Sequence, residues 1–164
     1  GVEPMSFSNK ILLYQDKPEY GLLLRFIILI PLAMLVTGIL LWVSGEIDGG
    51  LALLTEAILM GLIFWFVFPR EYQVYEDHLR IVMGSPFSVK VGFENIKTVS
   101  VTSRNSLTVN FVTRITRNYV EIEKKNGLNI AITPADNGSF VENANRSINR
   151  WREKNNREKI SGLH

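Results

Sequence analysis

The chain has 164 residues and a formal net charge of +2, and hydrophobic residues make up 46% of it. It has no cysteine, which excludes disulfides, thiolate metal sites and cysteine nucleophiles. His78 and His164 are its two histidines, so little is left for zinc or triad chemistry. The length accommodates one modest domain and a smaller unit. Apolar residues are concentrated in residues 22–68, whereas residues 70–164 have the composition of a soluble domain.

Two apolar runs follow an N-terminal segment, residues 1–20. The first, residues 22–43, would extend about 33 Å as a helix, enough to cross the hydrocarbon core of a bilayer. A cleavable signal peptide is excluded because the run is too long, contains Pro31 and lacks a small-residue cleavage site. The second run, residues 50–68, is also long enough to span. The alternative is a buried helical hairpin of a soluble protein, and we interpret both runs as membrane spans.

The short connection between the runs predicts an antiparallel hairpin. Folding the chain about Ile47 places Ala33 level with Gly61 and Thr37 level with Ala57. Each helix would then present a stripe of small residues to the other, and such stripes let helices pack closely in lipid. The alternative is chance, because small residues are common in spans.

Basic residues indicate the orientation of the hairpin. The connection contains Glu46 and Asp48 but no Lys or Arg, whereas Lys17, Arg25 and Arg70 flank the two runs on the other side. The positive-inside rule therefore predicts a multi-pass protein of the cell (inner or plasma) membrane with both termini in the cytoplasm. Arg25 and Arg70 are the candidates for contact with the membrane surface, because each lies where its side chain can reach the headgroups.

Glu56 is a carboxylate inside the second apolar run and is the intramembrane candidate. An acid at such a position is by default a functional hypothesis, for example a proton or cation relay. The alternative interpretation places it near the outer interface, since it lies only about 9 Å along the helix from Gly50 and has no basic partner at its level. We favour the second interpretation and expect Glu56 to be dispensable.

The pattern changes at the end of the second run. Pro69 has no backbone donor and biases Phe68 away from helical dihedrals, so the second span is expected to end there. From residue 70 onward apolar and polar residues alternate, which is typical of strands. The first of these strands is predicted to place Tyr72 and Val74 in a core.

Further alternating runs predict about seven short antiparallel strands in a small sandwich or barrel. A turn at Asn126 and Gly127, which favours positive φ, connects the last two strands. The apolar positions of the strands after the first are Leu79, Ile81 and Met83; Phe87, Val89, Val91 and Phe93; Val99 and Val101; Leu107, Val109 and Phe111; Val120 and Ile122; and Leu128, Ile130 and Ile132.

The last element is an amphipathic helix that begins after Pro134, with Asp136 or Asn137 as its cap. Its apolar stripe is predicted to cover an open end of the sheets. The domain is expected to span residues 70–155, followed by a frayed tail, residues 156–164. The stripe consists of Phe140, Ala144, Ile148 and Trp151.

Three stretches carry a resemblance to a known family. They are "REYQVYEDHLRIVMG", "VGFENIKTVSV" and "LNIAITPADNGSFVENANRSI". With the hairpin in front of them, the chain resembles the bacterial pleckstrin-homology-like (bacterial PH) domain family in its membrane-anchored form. The resemblance implies a two-sheet sandwich capped by a C-terminal α-helix. It also implies a noncatalytic module for protein–protein assembly or lipid contact.

One departure from the wider PH superfold concerns headgroup binding. Relatives that bind phosphoinositides carry Lys and Arg in the loop that here reads Glu76, Asp77 and His78. Acidic residues would repel a phosphorylated headgroup, so specific binding of inositol phosphates is not expected. Residues 70–164 nevertheless contain 15 Lys and Arg against 10 Asp and Glu, a net charge of +5 that favours anionic lipid surfaces. Other basic residues of the domain are scattered along it, at Lys90, Lys97, Arg104, Arg114 and Arg117.

Composition and motifs together predict a membrane-anchored, noncatalytic adaptor for protein–protein assembly. No paired carboxylates, nucleophile–base pair, metal cluster or phosphate loop is recognisable in the sequence, so neither an enzyme nor a cofactor is expected. The alternative is an anionic-lipid-surface sensor, or a subunit of a membrane transport complex acting through its hairpin. The expected partners are membrane lipids and a protein of unknown identity; a homo-oligomer stays open, and nucleic acid is not expected.

Overall fold

The computed structural model describes residues 10–103, 108–114, 116 and 118–162. Two long helices, α1 and α2, form the hairpin, and the remaining chain forms two sheets and a third helix. A 3-10 turn is formed by Phe93–Asn95. The elements are β1 (Leu12–Asp16), α1 (Leu22–Val43), α2 (Ile47–Val67), β2 (Glu71–Tyr75), β3 (His78–Val82), β4 (Ser88–Gly92), β5 (Ile96–Thr102), β6 (Thr108–Phe111), β7 (Tyr119–Lys124), β8 (Asn129–Ile132) and α3 (Asn137–Ser161).

The strands form two four-stranded sheets that enclose one core, which confirms the predicted sandwich capped by a C-terminal helix. The first sheet has the order β1-β2-β3-β4 and is antiparallel throughout. The second has the order β5-β7-β8-β6, and β6 pairs parallel to β8. The expectation that every strand is antiparallel is therefore wrong at β6. Neighbouring strands of the chain pair antiparallel through short turns, whereas β6 and β8 are separated by β7 and can pair in parallel.

The strand β1 comes from the segment before the hairpin, where the sequence pattern predicted no strand. Tyr14 pairs with Val74 and Asp16 with Tyr72. The hairpin is therefore an insertion between the first and second strands of one sandwich. The domain consequently holds the hairpin at both of its ends, through the chain that enters α1 and the chain that leaves α2.

The core is built from the alternating residues of both sheets and from the stripe of α3. Tyr72 and Val74 are fully buried, as predicted. Gly127 has φ +87°, as the expected turn requires. The α3 stripe is confirmed, with its first three members buried and Trp151 packed partly against the core. Asp136 caps the helix by accepting a hydrogen bond from the Ser139 N–H (2.9 Å), and this bond lowers the pKa of the Asp136 carboxyl.

The helix α3 continues to Ser161, past the predicted end near residue 156. Its last two turns lie beyond the apolar stripe, which ends at Trp151. Polar residues with good helix propensity, such as Arg157 and Glu158, extend it into solvent. The helix therefore includes most of the segment that the sequence predicts as a frayed tail.

The two hairpin helices approach each other closely at Gly38 and Gly50. A Cβ at Gly50 would lie 2.8 Å from Trp42 N and 2.9 Å from Gly38 O. The predicted pairing is correct for α2, where Ala57 is buried, but wrong for α1, where Ala33 and Thr37 are exposed. The reason is that α2 begins at Ile47, so the connection is shorter than expected. A shorter connection moves the centre of the hairpin toward residue 45 and rotates the contact face of α1.

Both helices are long and apolar enough to cross a membrane, and their surfaces are exposed. In the most apolar stretch of each helix, only 6% of the residues of α1 and 11% of those of α2 are buried within the protein. A core helix of a soluble protein would be mostly buried. The exposure of these apolar surfaces therefore suggests that the hairpin associates with a membrane.

The junction at Pro69 fixes the hairpin to the domain. Helix α2 ends at Val67, and Phe68 is extended (φ −81°, ψ 128°), as the following proline predicts. The Arg70 N–H donates to Val82 O at 2.7 Å, so hydrogen bonding between the chain that leaves the hairpin and β3 begins one residue after the proline. Phe87 was predicted to face the core but is 52% exposed, and its ring meets that of Phe66 edge-on at 5.1 Å.

The other junction holds the chain that enters α1. The Glu19 N–H donates to Thr133 O (3.1 Å), and the Gly21 N–H donates to Thr113 O (2.9 Å). The Thr113 hydroxyl, itself buried, donates to Glu19 O at 2.6 Å. The Tyr20 hydroxyl donates to the carbonyl of Pro69, which connects the two junctions directly.

Candidate functional site

An open groove of about 560 Å³ lies between β1, the turn from β2 to β3, and the second half of α3. We call it the α3 groove. It is formed by parts of the chain that are far apart in sequence. It is lined by Lys10, Ile11, Leu13, Glu76, Asp77, Ser147, Arg150, Trp151, Lys154, Asn155 and Glu158.

The β1 wall of the α3 groove is apolar and lies at a sheet edge. Ile11 is 61% exposed and Leu13 is 42% exposed. Because β1 is the first strand of its sheet, one side of its backbone has no neighbouring strand within the described part of the chain. An edge with exposed apolar side chains is a template for pairing with another strand.

The α3 wall combines an aromatic ring with charges. The ring of Trp151 packs edge-on against Phe93, with centroids 6.2 Å apart, so the indole is anchored to the core while part of it lines the groove. Arg150 and Lys154 lie one turn apart along the helix, and Glu158 follows one turn later. This wall can therefore contact both apolar and charged groups of a bound segment.

Asp77 forms one end of the α3 groove and ties β1 to the turn from β2 to β3. It pairs with Lys10, and its Oδ1 lies 2.6 Å from Nδ1 of His78. Burial alone would raise the pKa of Asp77, but the hydrogen bonds from Lys10 and His78 outweigh it, so that pKa lies below its ordinary value. His78 was expected in an exposed turn but is buried and stacks on Tyr75 at 4.5 Å.

The three candidate residues in and beside the hairpin, Arg25, Arg70 and Glu56, lie in two separate places. Arg25 and Arg70 meet around Tyr20, since Arg25 Nε donates to Tyr20 O (3.0 Å) and the Tyr20 hydroxyl donates to Pro69 O. The Arg70 guanidinium lies 3.7 Å from the centre of the Trp65 ring. Burial raises the pKa of Tyr20, although the charge of Arg70 acts in the opposite direction.

Glu56 lies well away from that cluster, on the outer surface of α2. It is exposed, while its neighbour Ala57 faces α1 and is buried. Because α2 begins at Ile47, Glu56 lies about 13 Å along the helix from its start, deeper than the sequence suggested.

Two of the scattered basic residues of the domain form ion pairs. Lys97 pairs with Glu123 (2.9 Å) and Arg114 with Glu19 (2.6 Å). Arg104 and Arg117 lie outside the described residues. These pairs tie together strands and the chain that enters α1.

The sequence does not reveal the α3 groove, because the apolar residues of its β1 wall lie close to the first apolar run and resemble an extension of it. The run "ILLY" at residues 11–14, which precedes Asp16 and Pro18, is the available sign of a short strand. The basic residues of α3 are evident in the sequence, but their relation to β1 depends on pairing across the hairpin insertion. Only the fold brings these residues together.

A two-sheet sandwich closed by one C-terminal helix defines a PH-like domain. The model of the bacterial PH domain family matches residues 70–145, from β2 into α3. This part of the chain is therefore a bacterial PH domain, which confirms the resemblance seen in the sequence. No curated protein and no solved structure matches the chain. Most of the α3 groove, including Ile11, Leu13 and Trp151, lies outside the matched residues.

Proposed function

We propose that the protein is a membrane-anchored, noncatalytic adaptor whose bacterial PH domain captures a protein segment in the α3 groove. The observation that carries this proposal is the exposed apolar edge of β1 beside the second half of α3. Bacterial PH domains are suited to interaction with proteins or lipids, and the α3 groove offers a surface for binding a protein segment. The hairpin would hold this surface at a fixed position next to the bilayer.

Anchoring is supported by the exposed apolar surfaces of α1 and α2 and by the charges around them. The loop between the helices contains Glu46, the first turn of α2 contains Asp48, and neither contains a basic residue, whereas Arg25 and Arg70 lie at the other end. Under the positive-inside rule, this distribution of charge supports an orientation with the domain and both termini in the cytoplasm.

The topology can be measured because the chain has no cysteine of its own. We expect the full chain to stay in the membrane during alkaline carbonate extraction. Cysteine in an Asp48→Cys variant should react with a membrane-impermeant maleimide added outside intact cells, and cysteine in Glu94→Cys only after lysis. Reaction of the Asp48→Cys variant only after lysis would contradict the proposed orientation.

The bound segment is expected to add a strand to β1. Strand addition supplies backbone hydrogen bonds, and alternate side chains of the segment would contact Leu13 and Trp151. Arg150 and Lys154 on α3 would favour acidic residues on the side of the segment that faces the helix. Affinity would thus come from the edge of the sheet, and selectivity from the helix.

Two leucine-to-lysine variants, one inside the α3 groove and one outside it, test whether the groove binds a protein segment. A photo-crosslinking residue in place of Asn155, which lines the α3 groove, should give a discrete protein adduct in native membranes. Leu13→Lys should lower the yield of that adduct by about thirtyfold, because a buried leucine contributes about 2 kcal/mol. The control Leu128→Lys changes a leucine that is 57% exposed and outside the groove, and should leave the yield unchanged.

A second function is favoured by Glu56, a carboxylate on the outer face of an apolar helix. The protein would then act through its hairpin, as a lipid-surface sensor or a subunit of a membrane transport complex. Glu56→Gln distinguishes the two proposals in the same crosslinking experiment. For the adaptor, the yield at Asn155 should not change in this variant. A loss caused by Glu56→Gln but not by Leu13→Lys would favour the second function.

A further inference from the structure

We propose that the hairpin binds one anionic phospholipid, with an acyl chain between α1 and α2 and the headgroup phosphate on Arg70. The inference rests on the proposed membrane anchoring but not on the capture of a protein partner. The site is a groove of about 440 Å³ between the two helices, at the end nearest the domain. We call it the hairpin groove.

The shape of the hairpin groove follows from where glycine lies in the two helices. At Gly38 and Gly50 the backbones are in close contact, which closes the groove at the end remote from the domain. At Gly61 a Cβ would meet nothing within 4 Å, so α1 and α2 have diverged there. Pro31 and Phe64 line the walls at this level, and both are apolar.

The polar groups of the hairpin groove lie at its domain end. The Tyr20 hydroxyl donates to the Pro69 carbonyl, and the guanidinium carbon of Arg70 lies over the Trp65 ring, 3.7 Å from its centre. Stacking occupies the face of a guanidinium and leaves its N–H edge available for a phosphate. Within the described part of the chain, no carboxylate forms an ion pair with Arg70.

The length of the hairpin groove favours a lipid over a helix as its occupant. From Ala57 to Phe68 it extends about 16 Å, at about 1.5 Å per residue. This is close to half of a hydrocarbon core about 30 Å thick, and therefore to one leaflet. The contact of Gly38 with Gly50 closes the other half of the hairpin, so the groove has the length of one acyl chain and is shorter than a helix that spans the bilayer.

The order of apolar and charged groups along the hairpin groove also favours a lipid as its occupant. Its apolar part lies inside the proposed span, and its cation lies after the end of α2, where headgroups are found. Arg25, which donates to Tyr20 O, adds a second cation at that level. A phospholipid with a net negative headgroup has its apolar and anionic parts in this same order.

Lipid retention tests the proposal on the full chain. The protein is reconstituted in vesicles of phosphatidylglycerol and phosphatidylcholine in equal amounts, extracted in mild detergent, and examined by native mass spectrometry. The wild type should retain one phosphatidylglycerol in preference to phosphatidylcholine. Gly61→Leu should abolish retention of both, because the new side chain enters the groove without a clash. Ala52→Leu, which introduces the same side chain on the exposed face of α2, should retain lipid as the wild type does.

The headgroup contact is tested separately. Arg70→Gln should lower the preference for phosphatidylglycerol by about fivefold, which corresponds to about 1 kcal/mol for one cation near an anionic surface. Lys125→Gln removes one charge in the turn between β7 and β8 and should not change the preference. Equal retention by wild type and Gly61→Leu, or no preference in the wild type, would overturn the proposal.

Two further results distinguish the lipid site from a dimer interface and from membrane anchoring alone. If Gly61→Leu converted a dimer into a monomer without changing the retained lipid, a second copy would occupy the groove and the proposal would be wrong. Carbonate extraction of the same membranes reports on anchoring alone. A protein that stays integral but retains no lipid would contradict the lipid site while leaving the adaptor proposal intact.

Discussion

Replacing Phe140 by alanine is expected to lower the free energy of unfolding of the bacterial PH domain by about 3–5 kcal/mol. The ring is only 1% exposed and meets both Tyr14 of β1 and Tyr72 of β2 edge-on, each with centroids 6.2 Å apart. It therefore joins α3 to the strand before the hairpin and to the strand after it. Alanine would leave a cavity at the point where these three elements meet.

The substitution should also affect β1 locally, because Tyr14 of β1 packs against Phe140. With that contact gone, β1 should exchange its amide hydrogens faster than β2 does. Urea denaturation of the full chain in detergent gives the stability, and hydrogen exchange gives the local effect. Phe87→Ala is the matched control, since that ring is half-exposed and contacts Phe66 of the hairpin. A similar loss in both variants would mean that Phe140 does not join the three elements.

The chemistry of Tyr72 supports the same arrangement. Its hydroxyl donates to Phe111 O at 2.6 Å, which connects the first sheet to β6 of the second. Burial raises the pKa of Tyr72 to about 12, despite hydrogen bonds with Thr133 that lower it. The phenol therefore stays protonated, and able to donate, at every pH at which the protein would operate.

Local patterns in the sequence are sufficient to predict most of the fold. Alternation places Tyr72 and Val74 in the core because a strand exposes its two faces in turn. The spacing of Phe140 and Ile148 predicts α3 because a helix repeats every 3.6 residues. Pro69 predicts the end of α2 from its own covalent geometry. Each of these signals depends only on residues that are close together in the chain.

The features that the sequence could not predict depend on distant parts of the chain. The strand β1 has five residues, lies beside a long apolar helix, and pairs with β2 across the whole hairpin. The parallel pairing of β6 with β8 and the contact of Gly38 with Gly50 likewise depend on how distant segments meet. The α3 groove combines Ile11, Asp77 and Trp151, so predicting it would require all of these pairings. The hairpin groove depends on one further detail, the rotation of α1 that follows from the shorter connection.

Loosening both junctions between hairpin and domain is expected to abolish the fixed position of the domain. The hairpin is inserted between β1 and β2, so a flexible stretch of about ten Gly and Ser residues after Arg70 alone leaves the other junction intact. There the backbone of Glu19 and Gly21 remains bonded to Thr133 and Thr113. A second insertion, after Gly21, releases that side as well. Each flexible stretch has a root-mean-square length of about 16–19 Å.

Spin labels on Asp48→Cys and Glu94→Cys report the position, because the chain has no other thiol. The single insertion after Arg70 should keep a narrow distance distribution and near-normal crosslinking from Asn155. The double insertion should broaden the distribution and lower the crosslink yield about tenfold or more, since the captured segment no longer meets a surface held in place. Thermal unfolding should show an intact domain in both variants.

An insertion of the same length after Gly127, in the turn between β7 and β8, serves as the control for added chain. It leaves both junctions untouched and should change neither the distances nor the crosslinking. If the single insertion after Arg70 already broadened the distance distribution, the hydrogen bonds of Gly21 and Tyr20 would not be sufficient to fix the domain to the hairpin. Undiminished crosslinking after the double insertion would show that a fixed position is not needed for capture. The two junctions would then be boundaries of the fold only, and the hairpin would act simply as an anchor.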